Sequence, residues 1–113
     1  MNLVEDSKIA DKINTSSKYE KYYKIMRKDY LLGYCAINTK GNDMLYLHIL
    51  DLYQGNEIGT YIFKHIINKF KELGVNRVSM KVLKTDLVIQ RIISHYKNIV
   101  KNTGKYNLYE IIL

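Results

Sequence analysis

Residues 54–60, Gln54-Gly55-Asn56-Glu57-Ile58-Gly59-Thr60, are the part of the chain best suited to holding a phosphate. They follow an apolar run from Met44 to Leu50 and lead into a stretch in which Ile58, Ile62, Ile66 and Phe70 recur every fourth residue. A strand, a glycine-containing turn and a helix starting at that turn direct backbone N–H groups and the positive end of the helix dipole at one spot. Glu57 is the discordant residue, since a carboxylate there would repel a phosphate unless its side chain points outward and leaves only its amide inside.

Other residue types with chemical capacity are scattered. Asp43, His48 and Glu57 are candidate general bases; Asp43 also suits a turn, and His48, on an apolar strand, also suits a satisfied core position. Cys35 lies between apolar neighbours with no histidine at a useful spacing, which fits a buried small side chain better than a nucleophile. His48, His65 and His95 have neither the spacing nor the companion cysteines of a metal site, and no metal is expected. Lys18 to Lys28 interleaves cations with tyrosines, the composition of a nucleic-acid surface and equally of a solvated edge strand protected by lysines.

These residues need a scaffold, and the pattern supplies one. The 113 residues form one domain, 1–113, with 1–18 a short polar segment whose spacing of Ile9, Ala10 and Ile13 suggests a short helix. Hydrophobic content of 47% against 26% charged residues is that of a folded domain. One cysteine excludes an internal disulfide, and no apolar run reaches the ~18 residues of a membrane span. A cytoplasmic protein with no membrane association is expected. The net charge of +7 favours an anionic partner such as nucleic acid, an acidic protein or a polyphosphate cofactor.

Alternation predicts strands over 18–27 and 30–38, joined at Lys28-Asp29, with a second turn at Thr39-Lys40-Gly41-Asn42. Met44–Leu50 reads as a mid-sheet strand buried on both faces. A helix runs from Ile58 to a stop at Gly74, followed by a strand over 75–83. Thr85 or Asp86 can cap a second helix that buries Ile89, Ile92, Ile93 and Tyr96. A turn at Asn102-Thr103-Gly104 leads to a last strand, 106–113. The strand–helix–strand unit implies two parallel strands, so the class is α/β with a mixed sheet.

The segment from Leu47 to Ile62 resembles the acetyl-CoA-binding motif of the GNAT superfamily of N-acetyltransferases, Gln/Arg-x-x-Gly-x-Gly/Ala at the head of the main helix. Gln54, Ile58 and Gly59 match, Glu57 stands at the first glycine, and the element order over about 22–113 agrees. The resemblance implies the acyl-CoA N-acyltransferase fold and acetyl-CoA as cofactor. The pyrophosphate would lie on Gln54, Gly55, Asn56, Glu57, Ile58, Gly59 and Thr60. The pantetheine arm would lie on the main chain of Leu47, His48 and Ile49. Asp86 stands where the family has an asparagine and is grouped with the cofactor-binding residues. Seven residues on, where the family has a tyrosine that protonates the departing thiolate, the chain has Ile93. Tyr96, three residues further on nearly the same helix face, is the implied catalytic acid.

The family carries an extra strand and two helices before the hairpin, on the acceptor side. Barely 20 residues precede the first expected strand here, so the acceptor side should be open or completed by a second subunit in a homodimer. That suits an amine on a macromolecule: a protein lysine or N-terminus, or charged tRNA. Two alternatives remain, a degenerate relative acting through protein contacts as an inhibitor, and a basic nucleic-acid-binding module.

Overall fold

The computed structural model describes residues 1–11, 19–38, 44–55 and 57–113. Its elements are β1 (Asn2–Glu5), β2 (Lys21–Arg27), β3 (Tyr30–Asn38), β4 (Met44–Ile49), α1 (Ile58–Glu72), β5 (Arg77–Leu83), α2 (Leu87–Ile93), β6 (Asn98–Thr103) and β7 (Tyr106–Ile112). Short 3-10 turns occupy Ser7–Asp11 and Asp51–Tyr53. The seven strands form one sheet in the order β1-β2-β3-β4-β5-β7-β6. Every pair is antiparallel except β4 and β5, the parallel pair expected of a strand–helix–strand unit.

One face of the sheet makes the core. Alternation along β4 buries Leu45, Leu47 and Ile49, and along β5 it buries Val78, Met80 and Val82. They meet Ile62, Phe63, Ile66, Ile67 and Phe70 of α1 and Ile89, Ile92 and Ile93 of α2 in a single cluster. The i, i+4 spacing of those α1 residues is what turns one stripe of the helix onto the sheet. On the other face Ile9 packs with Tyr19 and Ala36 beneath the Ser7–Asp11 turn.

Four expectations are corrected. Residues 2–5 form a strand, not part of a short helix, because their backbone pairs with β2 from Asn2↔Met26 to Glu5↔Tyr23. β2 therefore lies inside the sheet, and its lysines do not guard an edge. β4 is buried on one face only, with Met44, Tyr46 and His48 half-buried on the other. Residues 98–103 form a further strand, hydrogen-bonded to β7 as the outer edge.

The second helix is also shorter than its apolar spacing suggests. α2 stops at Ile93, where His95 N–H and Tyr96 N–H turn back to Ile92 and Ile93 carbonyls in a tight last turn (3.3 and 2.9 Å). Asn98 Nδ2 donates to the Tyr96 carbonyl at 2.8 Å and holds the chain end of that turn. Tyr96 thus lies beyond α2 and not on its face. No described helix is long and apolar enough to cross a membrane. The 39–42 turn, Ile13, Lys18, Asp43 and Asn56 lie outside the described residues.

Candidate cofactor cleft

β4 and β5 share one rung, Met44↔Ser79, and diverge beyond it. The gap between them is a cavity of about 340 Å³ walled by Tyr46, Leu47 and His48 on one side and by Met80 to Leu83 on the other, with Asp86, Ile89 and Tyr106 completing it. Backbone direction decides what this gap offers. Leu50 N–H donates to the Leu32 carbonyl across β3 at 3.0 Å. Peptide groups alternate along a strand, so His48 also faces β3 while Leu47 and Ile49 face the gap. A Cβ on Gly33 would collide with the His48 carbonyl oxygen, which explains the glycine that interrupts β3. Of the three strand residues expected to meet a cofactor arm, Leu47 and Ile49 present main chain and His48 presents its ring.

A second groove of about 320 Å³ lies between the β4–α1 loop and α2. Ile49, Tyr53, Gln54, Gly55, Glu57, Gly59 and Thr60 form one wall, and Leu87, Val88, Arg91, Ile92 and His95 form the other. The loop is shaped by three local devices. Gln54 Nε2 donates to the Ile49 carbonyl at 2.7 Å and to Asp51 Oδ1 at 3.2 Å, folding the loop over the end of β4. Gly55 takes φ +81°, a conformation that costs a side-chain-bearing residue roughly 1–2 kcal/mol. A Cβ built at Gly59 would lie 2.7 Å from Ile49 Cδ1 and 3.0 Å from Ile92 Cδ1, so glycine lets α1 approach both β4 and α2.

Glu57 is the N-cap residue of α1 with ordinary helical backbone (φ −75°, ψ −3°), and its side chain makes no capping bond. The first intrahelical bond runs from Tyr61 N–H to the Glu57 carbonyl (3.0 Å). The N–H groups of Gly59 and Thr60 therefore precede the helical ladder and are the donors an anion would use. The exposed Glu57 carboxylate stands at the rim, shared with a neighbouring hollow lined by Met1, Arg27, Leu32, Ile58 and Tyr61.

Asp86 is the N-cap of α2, its Oδ1 accepting from Ile89 N–H at 3.2 Å, and it also borders the first cavity. Burial is the main cause raising the Tyr46 phenol above its usual pKa, with the Asp86 carboxylate and Tyr19 adding to it. Tyr106 lies under Lys81, whose ammonium is 4.5 Å from the ring centre. Tyr96 packs edge-on against Phe63 (5.1 Å between ring centres), is raised by burial, and is not among the residues lining either groove. Cys35 is buried, and burial alone pushes its thiol to about 12. His65 is half-buried on α1, and His95 is exposed beside the loop.

Tyr46, Lys81, Arg91 and Tyr106 were not singled out from the sequence. Leu87, Val88, Arg91 and His95 do share one stripe of spacing, but only the position of α1 shows what that stripe faces.

The sequence matches no protein-family model and no curated protein. Solved structures do match. The PaiA N-acetyltransferase of Thermoplasma acidophilum, in complex with coenzyme A, aligns over 81% of this chain and 60% of its own, with a TM-score of 0.68 and 15% identity. RimL, a ribosomal L7/L12 α-N-protein acetyltransferase solved with coenzyme A, aligns over 84% and 63%, with a TM-score of 0.68 and 15% identity. The Campylobacter jejuni N-acetyltransferase PseH, in complex with acetyl-coenzyme A, aligns over 80% and 64%, with a TM-score of 0.63 and 18% identity. The chain spans less than two thirds of the length of each of these proteins. The fold is that of the GNAT N-acetyltransferases.

Proposed function

We propose that the chain is an acetyl-CoA-dependent N-acetyltransferase that acts on a primary amine carried by a macromolecule, a protein lysine or N-terminus or a charged tRNA. The observation that carries this reading is the divergence of β4 from β5 after a single rung, with β4 leading in sequence into a loop that ends on uncapped helix amides. Open donors at Gly59 and Thr60, and the missing Cβ at Gly59, fit a pyrophosphate. Arg91 on the opposite wall supplies a cation beside it. The Leu47 peptide groups and the Ile49 N–H would hold an amide-containing arm, as a third strand would, while the Ile49 carbonyl is held by Gln54. Acetyl-CoA would supply an acyl thioester that an uncharged amine attacks, with the thiol as leaving group.

The residues around that reaction have separable tasks. The His48 ring would take the proton from the incoming ammonium, and Asp86 would favour the cationic form as it approaches. Among the candidate acids, Tyr46 and Tyr106 border the cavity, and burial keeps the Tyr46 proton on the phenol. Tyr96 is the acid implied by the family pattern. Single Tyr→Phe variants at 46, 96 and 106 identify the donor by loss of kcat with KM unchanged. A protein acceptor has a parallel in RimL, whose acceptor is a protein α-amine. The +7 charge suits an acidic macromolecule of either kind.

Acetyl-CoA at a hundredfold excess over Kd should stabilise the protein by ~2.7 kcal/mol in thermal unfolding. No shift at millimolar acetyl-CoA would reject the enzyme. The Glu57 carboxylate at the rim favours the degenerate reading, and Glu57→Gln separates the two. A functional site loses a repulsion and binds severalfold tighter, whereas a degenerate one stays unresponsive.

A further inference from the structure

The sheet face turned away from α1 carries chemistry that a core would not need. Cross-strand partners share a face, so Lys24, Tyr34 and His48 form one row across β2, β3 and β4, and Tyr22, Ala36 and Tyr46 form the next. Across the gap, Lys81, Leu108 and Lys101 form the corresponding row on β5, β7 and β6, beside Tyr106. Tyr34, His48, Lys81 and Tyr106 are half-buried and Lys101 is exposed. The Ser7–Asp11 turn and Tyr19 pack on part of this face, with Tyr22, Tyr34, Met44 and Tyr46 against them, and Tyr34 keeps only one side partly exposed. The first cavity opens between the two groups of rows, lined by Tyr46, His48, Lys81 and Tyr106.

Its charge is one-sided. The rows of this face carry Lys24 on one side of the gap and Arg77, Lys81 and Lys101 on the other, against Glu110, with Asp86 at the cavity. Glu110 is paired with Arg77 at 3.1 Å, and Asp86 caps α2. On the far half Asp6 is paired with Lys24 at 3.4 Å. The carboxylates near the face are thus already engaged, while aromatic rings remain partly open between the cations. Cations alone would suit any polyanion. Rings set between them on a sheet suit unpaired bases, which stack on aromatic faces while lysines meet the phosphates.

We infer that this face is a platform for single-stranded RNA, and that the amine entering the cleft is carried on an RNA end. The second clause rests on the acetyltransferase reading; the platform itself does not. An RNA strand lying across Tyr34, Tyr106 and Lys101 would bring its terminus to the gap between β4 and β5, where His48 and Asp86 stand.

The test uses the full chain without acetyl-CoA and a fluorescein-labelled single-stranded RNA of about 12 nucleotides, read by anisotropy over a salt series. Binding should weaken steeply as salt rises from about 50 to 200 mM, and Lys101→Ala should lower the slope by ~0.7. Tyr34→Leu and Tyr106→Leu should each weaken binding roughly 5- to 100-fold, while Lys69→Ala on α1 should change nothing. Absence of binding at the lowest salt would overturn the inference. So would equal affinity for a duplex of the same length or for polyglutamate, or equal loss in Lys69→Ala. Should the tyrosine variants fail to fold, Lys101→Ala on the outer strand still decides, because it removes only a solvent-facing cation. Acetyl-CoA thermal shifts on the same variants keep the two readings apart. A retained shift without RNA binding removes this inference alone, and RNA binding without a shift removes the enzyme alone.

Discussion

The two faces of the sheet obey different rules. On the face under α1, β4 and β5 place a buried apolar residue at every second position. On the other face the same strands carry tyrosine, histidine and lysine at half-burial. Period-two alternation sends successive side chains to opposite sides, so one strand such as β4 serves both: Leu45, Leu47 and Ile49 enter the core, and Tyr46 and His48 border the cavity. The difference places core packing and cavity lining one residue apart, where single substitutions can address them separately.

Phe63→Ala is the largest test of that division. It empties a fully buried site and removes the edge contact with Tyr96, and should cost about 3–5 kcal/mol in urea unfolding. Lys101→Ala on the opposite face should stay within about 0.5 kcal/mol. A comparable loss in both would break the distinction. Gly59→Ala comes next, at about 1–3 kcal/mol, because the added methyl must displace the Cδ1 ends of the buried Ile49 and Ile92 side chains. It should also abolish the acetyl-CoA thermal shift by prising the loop from α2; a shift of wild-type size would show that Gly59 matters only for packing. Asp86→Ala removes the α2 cap and should cost about 1 kcal/mol, with Asp86→Asn recovering most of it.

The smallest effect at neutral pH concerns Cys35. Its thiol has a reference value of 9.0 and is pushed to about 12 by burial, so the unfolded chain ionises first as pH rises. Below pH 9 both states keep the proton and the residue contributes no pH dependence. Above it the unfolded state binds fewer protons, and stability falls through the window from 9 to about 12. Cys35→Ala should flatten that part of the profile, measured as urea midpoint against pH. An unchanged slope would place its origin elsewhere, in tyrosines or lysines.

What the sequence disclosed, and what it hid, follows the same line. Buried strands and α1 were legible because burial imposes periodicity. The loop was legible because glycine at 55 and 59 marks a backbone need. β1 and β6 were hidden for one reason: both are edge strands with nearly every side chain exposed, held by pairing and not by burial. Asn98, Asn102 and Thr103 look like a loop because nothing in their side chains reports the hydrogen bonds of β7. The end of α2 was overrun because Tyr96 keeps the apolar spacing, although its backbone has already turned. Arg91 could not be placed because its relevance depends on what lies across the groove.

The single rung between β4 and β5 has a mechanical meaning as well. Strands β1 to β4 form one antiparallel ribbon and β5, β7 and β6 another. Between them the sheet is nearly severed, and α1, whose buried residues share one cluster with both ribbons, is the splint. Backbone amides on either side of the seam should therefore open to deuterium as two blocks with separate protection, coupled chiefly through side-chain packing. A ligand laid along the seam would supply the missing rungs and join the two blocks into one.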